Sequence, residues 1–196
     1  MCIRDRLYPV SVDTGTPPTM KIIDNFISNE EATTIKNYIL DNENKVKEMG
    51  PDLYTNTSPN SLTGRWYLYN WLTSYTCGSI LIPKLTKEFP NSYIRLWANI
   101  FRKGEGISKH NHGDVSITGN LYLGGPEDDY TYYVNKGPIC NKVGTIIYHD
   151  ATLDHWVDPN QTDTPRVSMA FDTINFIPNK DNDFAPTTFI PLGIPE

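Results

Sequence analysis

Cysteine is scarce in this chain, and what there is stands apart. Cys2, Cys77 and Cys140 are three in number, with no Cys-x-x-Cys pair among them. An odd, scattered set excludes a disulfide framework and a thiolate metal site, and suits a reducing compartment. Long apolar runs are missing as well. None reaches the ~20 residues that a membrane-spanning helix needs, and the opening MCIRDRLYPV has no apolar core of the kind a signal peptide carries. No membrane association is expected, and a cytoplasmic location is. Basic runs are also absent, and the formal net charge is -6. A nucleic acid is therefore not an expected partner, because such a surface shows a basic stripe.

What is present points to β-structure. Fifteen prolines and thirteen glycines in 196 residues call for many turns and short strands, and tyrosine is abundant at twelve copies. The length suits one well-filled core rather than two domains. Residues 1–19 carry no period and read as a flexible lead that need not be native, since MKIIDNFIS from Met20 reads at once as structured. Ser28 lies three residues before Glu31, a capping-box spacing, and Ala32, Ile35, Tyr38 and Ile39 then fall on one helical face over 29–42. Residues 43–64 read as loop. A second helix is expected over 74–89, interrupted or started near Pro83.

From Asn91 the texture changes to alternating β-formers: 93–101, 115–123, 130–134, 143–148 and 166–176. Turn signals separate them at Lys103–Gly106, Gly124–Pro126, Asn135–Pro138 and Asp158–Asn160. The expected fold is mainly β with N-terminal helices (α+β), a jelly roll or barrel flanked by helices. Its parts are a helical portion over 20–90, a β core over 91–177 and a proline-rich tail over 178–196 that wraps the surface.

All four histidines, His110, His112, His149 and His155, fall inside this β-rich part. In extended backbone His112 and Asp114 project to one side, so an imidazole and a carboxylate can reach one ion. His155, in TLDHWVDPN, is the candidate third ligand. Two imidazoles and a carboxylate on one face of an ion leave the other face open, as non-haem iron(II) oxygenases require. Alone, His-x-Asp is a weak signal; a surface turn in which Asp114 caps an amide explains it equally well. Context adds weight. Eleven residues after His155 comes Arg166, and alternation puts Ser168 on its side of the last strand. A guanidinium beside a hydroxyl is a good receptor for a carboxylate. The plainer reading of Arg166 is an edge-strand arginine paired with Asp163 or Asp172.

The order His-x-Asp, distal His, Arg-x-Ser resembles the iron(II)- and 2-oxoglutarate-dependent dioxygenase superfamily. WANIFRKGEGISKHNHGDVSITGNLYL and GTIIYHDATLDHWVDPNQTDTPRVSMAFDTIN look like its small phage and bacterial branch, related to prolyl 4-hydroxylases. The resemblance covers about residues 93–176. It implies a double-stranded β-helix, iron(II) at His112, Asp114 and His155, and 2-oxoglutarate with its distal carboxylate at Arg166 and Ser168. It also implies a cytoplasmic enzyme of a bacterium or phage-infected host. Decarboxylation of 2-oxoglutarate to succinate would be coupled to C–H oxidation by dioxygen, with hydroxylation of a protein side chain or small molecule as the default outcome. Tyrosines placed as Tyr122 is often serve 2-oxoglutarate in that superfamily.

Members of the branch often show His-x-His, and His110, His112 and Asp114 are successive alternate positions. The ligand pair is therefore either His112 with Asp114, which we favour because a carboxylate lowers the site's charge, or His110 with His112. Asn99 and Trp97 alternate on the preceding strand and can line the pocket, although core packing suits Trp97 equally. His149 reads as a structural or surface histidine. Tyr130, Tyr132 and Tyr133 are candidates for the substrate mouth, with core packing the commoner use of such residues. Two rival readings stand beside the oxygenase. One is a cupin-like metal protein without 2-oxoglutarate, with His110 and His112 both ligands; the other is a non-catalytic jelly-roll binding module.

Overall fold

The computed structural model describes residues 19–53, 61–113, 115–175 and 188–193. Asp114, nearly all of the expected lead and most of the tail lie outside these residues. Strand β1 (Met20–Ile23) comes first, then helix α1 (Asn29–Glu48), two short 3-10 turns (Thr63–Arg65 and Trp71–Thr73) and helix α2 (Tyr75–Glu88). The strands β2 (Tyr93–Phe101), β3 (Ile107–His110), β4 (Ile117–Gly124), β5 (Tyr130–Tyr133), β6 (Gly137–Cys140), β7 (Ile146–Asp150), β8 (His155–Val157), β9 (Arg166–Ile174) and β10 (Ile190–Pro191) follow.

Helix α1 starts where its cap dictates. Ser28 Oγ accepts from the Glu31 amide, and the Glu31 carboxylate accepts from the Ser28 amide, completing the capping box. The helix runs past the expected end at 42, because Glu43 and Val46 are buried in its last turns. Glu43 looks like a solvent residue in sequence. It is buried because Lys47 and Arg102 both pair with it, at 2.6 Å each. Helix α2 continues through Pro83 instead of breaking there. Burial of Leu81 and Leu85 on either side outweighs the ~3 kcal/mol that an internal proline costs.

The strands form a six-stranded sheet, in the order β1-β7-β4-β9-β2-β10, and a four-stranded sheet, β3-β8-β5-β6. From β2 to β9 the chain passes back and forth between them, with antiparallel pairing throughout. This mixed α/β arrangement of two sheets resembles a double-stranded β-helix. It departs from the expected barrel in one respect: among the described residues neither sheet closes on itself and no strand belongs to both. No helix among them is long and apolar enough to cross a membrane.

The central strands of the large sheet are buried on both faces. In β2 every residue from Ile94 to Phe101 is buried, and β9 is nearly as enclosed. Yet the sequence of each alternates polar and apolar. Ile94, Leu96, Ala98 and Ile100 share the main apolar core with Val167, Met169 and Phe171 of β9, Leu121 and Leu123 of β4, and the buried faces of α1 and α2. Alternation turns Arg95, Trp97, Asn99 and Phe101 the other way, and register sets them opposite Asp172, Ala170, Ser168 and Arg166. Gly119 is needed where Phe171 crosses β4: a Cβ there would lie 2.4 Å from the Phe171 ring and 2.6 Å from the Ile147 carbonyl oxygen.

Candidate metal centre

Pairing of β3 with β8 sets His110 directly opposite His155, and their rings come to 4.4 Å between centroids. His112 follows β3 by two residues and is tied back by its amide, which donates to the Ala151 carbonyl at 2.9 Å. The three histidines each offer a ring nitrogen, and these atoms lie within 4.8 Å of one another. The expected set paired His112 and His155 with Asp114, which is outside the described residues. Within them the third donor brought to the cluster is His110, the alternative weighed from sequence.

Hydrogen bonding decides which nitrogen each ring presents. His110 Nδ1 donates to the Ser108 carbonyl at 2.8 Å, and His155 Nδ1 to the Leu153 carbonyl at 3.1 Å. His112 Nδ1 meets the Asp172 carboxylate at 2.7 Å. An oxygen acceptor on Nδ1 favours the proton there, so that in a neutral ring the lone pair sits on Nε2. This is the tautomer a metal ion needs. His155 is held well below its ordinary pKa by burial first, then by His110, His112 and His149 crowding around it.

Asp172 was not among the residues singled out for the site, except as a possible partner of Arg166. It is buried, and its second oxygen pairs with Arg95 at 2.7 Å. Burial by itself would raise the Asp172 carboxyl, but His112 and Arg95 together hold it well below the usual carboxylate range. Arg95 lies over the Trp66 ring at 4.1 Å, and Trp97 stacks on His112 with 5.7 Å between centroids. Two of the clustered histidines thus belong to the small sheet's pairing, and the third is steered from the large sheet. A sequence signal for Asp172 did exist: it continues the parity of Arg166, Ser168 and Ala170 along β9.

Arg166 and Ser168 are buried, at 2% and 1% exposure. Arg166 does not pair with Asp163 or Asp172. Its Nη2 donates to Thr131 Oγ1 at 3.0 Å, and its Nε lies 2.8 Å from Asp129 Oδ2, close enough for an ion pair although poorly aligned for a hydrogen bond. Nη1 has no hydrogen-bond partner among the described residues. The buried Tyr122 hydroxyl, opposite Ser168 in register, likewise lacks a well-aligned bond and stands near Asp129. Asn99 accepts from Thr63 Oγ1 at 2.8 Å.

On β5, Thr131 and Tyr133 are buried while Tyr130 and Tyr132 turn outward, and Tyr132 stacks on Trp156 at 5.3 Å. Only Tyr133 of the three tyrosines faces the histidines. Its ring is 5.9 Å from that of His155. His149 is buried rather than superficial, its ring 5.0 Å from His155, and burial pushes its pKa down to about 4. A cleft of about 290 Å³ lined by Thr19, Met20, Lys21, Ile117, Tyr148 and His149 meets the cluster through His149.

The site residues fit both groups that the sequence suggested. Three imidazoles with ring nitrogens within 4.8 Å of one another suit a divalent transition metal, and a buried guanidinium with an unmatched N–H suits a ligand oxygen.

A prolyl-4-hydroxylase from Pseudomonas putida matches with a TM-score of 0.58 at 11% identity, covering 84% of this chain and 96% of its own. The non-heme alpha-ketoglutarate-dependent epimerase SnoN of nogalamycin biosynthesis matches at 0.60 and 12%, covering 90% and 92%. The viral collagen prolyl hydroxylase of Paramecium bursaria chlorella virus 1 matches at 0.52 and 17%, covering 79% and 90%. The chain shares their fold. No protein-family model and no curated protein sequence matches it.

Proposed function

We propose that the protein is an iron(II)- and 2-oxoglutarate-dependent oxygenase of the small phage and bacterial, prolyl 4-hydroxylase-like kind, acting as a hydroxylase on a protein side chain or small molecule. One observation carries the reading: three histidines that each bring a ring nitrogen within 4.8 Å of the others, in the same fold as a buried arginine that still has a donor to give. Incidental histidines have no reason to share one focus.

In this reading His112 and His155 hold the ion with either His110 or Asp114, and Asp172 keeps the His112 ring in place. Arg166, Ser168 and Tyr122 hold the far end of 2-oxoglutarate. When bound, the pair supplies an oxidant from dioxygen, with 2-oxoglutarate leaving as succinate and carbon dioxide and a substrate C–H bond being oxidised. The aromatic walls, Trp97, Phe101 and Tyr133, exclude water from the space between.

The cupin-like alternative has one observation in its favour, the three-histidine donor set with no carboxylate among the described ligands. One experiment separates them. Iron(II) and 2-oxoglutarate added without oxygen should give the weak visible charge-transfer band of a chelate, absent in His112→Ala and His155→Ala. Arg166→Ala should recover the band at high 2-oxoglutarate. Metal binding without any band would favour the cupin-like protein. His110→Ala against Asp114→Ala identifies the third ligand.

A further inference from the structure

The arginine assigned to the cosubstrate already has a carboxylate beside it. Asp129 Oδ2 lies 2.8 Å from Arg166 Nε and accepts from Asn141 Nδ2 at 2.9 Å. The Asn141 amide also donates to the Asp129 carbonyl, at 2.9 Å. Asn141 Oδ1 accepts from Thr131 Oγ1 at 3.1 Å, and Thr131 in turn accepts from Arg166 Nη2. Asp129 is therefore fixed to the β5–β6 hairpin by side chain and backbone. It is not a loop residue that happens to lie near.

The charges cancel. One guanidinium and one carboxylate leave this end of the site formally neutral, while Nη1 is a buried donor with no hydrogen-bond partner among the described residues. A ligand oxygen can be recognised there by hydrogen bonding. A ligand carboxylate, however, would sit close to a second carboxylate in a poorly solvated place, where like charges repel.

We infer that Asp129 sets cosubstrate affinity and selectivity. It offsets Arg166, so 2-oxoglutarate binds more weakly than the arginine alone would allow, and a 2-oxo acid with an uncharged polar tail competes with it. This rests on the function proposed above. The chemical class admitted is 2-oxo acids carrying a terminal oxygen acceptor, with the second negative charge giving little advantage.

The test is calorimetric binding to the nickel(II)-loaded protein without turnover, using 2-oxoglutarate and its uncharged-tail amide, 2-oxoglutaramate. The wild type should bind the two within a few-fold of each other. Asp129→Asn, which keeps shape and an acceptor for Asn141, should tighten 2-oxoglutarate by at least about tenfold and leave the amide little changed. Asp129→Ser should do the same, which guards against a local packing effect. A buried guanidinium without its counter-charge should also lower the melting temperature of ligand-free Asp129→Asn, and 2-oxoglutarate should raise it by more than in the wild type. If both variants bind 2-oxoglutarate no more tightly than the wild type, while Arg166→Met still weakens it, Asp129 is only structural and the inference fails with the oxygenase reading intact. If 2-oxoglutarate binds none of these proteins, both fall.

Discussion

The two faces of the large sheet are drawn from alternate residues of the same strands, and they are held by opposite means. On the helix side Ile94, Leu96, Val167, Met169 and Phe171 need only close neighbours of fitting shape, which α1 and α2 supply. On the other side Arg95, Asp172, Arg166 and Ser168 are equally buried, but a buried charge is tolerated only with a named partner at hydrogen-bond distance. One face can be repacked; the other cannot. The lesson is that alternation hides a site when both faces are buried, because its polar half looks like solvent-facing residues.

The comparison predicts that damage to one face should leave the other's property standing. The largest effect is expected for Phe171→Ala, which removes a fully buried ring and should cost roughly 3–5 kcal/mol of unfolding free energy. Urea denaturation measures this, and metal affinity of the remaining folded protein should be unchanged. A parallel loss of metal binding would mean that the faces are not separable.

Acid should weaken the polar side selectively. His149 has a folded pKa of about 4, below the ordinary 6.5, so between these values the unfolded chain binds the extra proton. Its stabilising share is complete above about pH 6.5 and is lost as pH falls toward 4, up to about 3 kcal/mol. His155, also depressed, acts in the same direction. The urea midpoint of the metal-free protein should fall over this range, and should fall less in His149→Gln.

Asp172→Ala should weaken metal binding about 10- to 100-fold, since His112 loses the acceptor that orients it. Competition with a chromophoric chelator reads this directly. Unaltered affinity would show that the His112 ring is held by Trp97 and the backbone alone. The smallest effect belongs to Ser28→Ala, where loss of the cap should cost about 1 kcal/mol in denaturation with metal affinity untouched.

Much of the helix side was legible because its determinants are local. The Ser28–Glu31 cap and the α1 period place that helix, and YIRLWANIF marks β2 to its end residues. The extension of α1 through Glu43 was not, since it depends on Arg102 far along the chain. Strands β3, β6 and β8 escaped notice because three or four residues, two of them the turn-forming Gly137 and Pro138, carry no period of their own. They are strands only through what they pair with. In the site, residue type and spacing picked out His112, His155, Arg166 and Ser168. Thr131 and Asp129 were missed because an acidic or hydroxyl residue has no distinguishing pattern until something charged is set beside it; Asp172 has the parity of Arg166 and Ser168, but only the fold brings His112 to it.

By itself, then, the sequence determined the capped helix, the long strands and a short list of candidate side chains for a metal and a carboxylate, all from near neighbours in the chain. Tertiary structure alone decided that His110 faces His155, that Asp172 orients His112, and that Arg166 meets Asp129 rather than Asp163 or Asp172. Those are contacts between elements tens of residues apart, set by the pairing of strands and by the need of every buried charge for a partner.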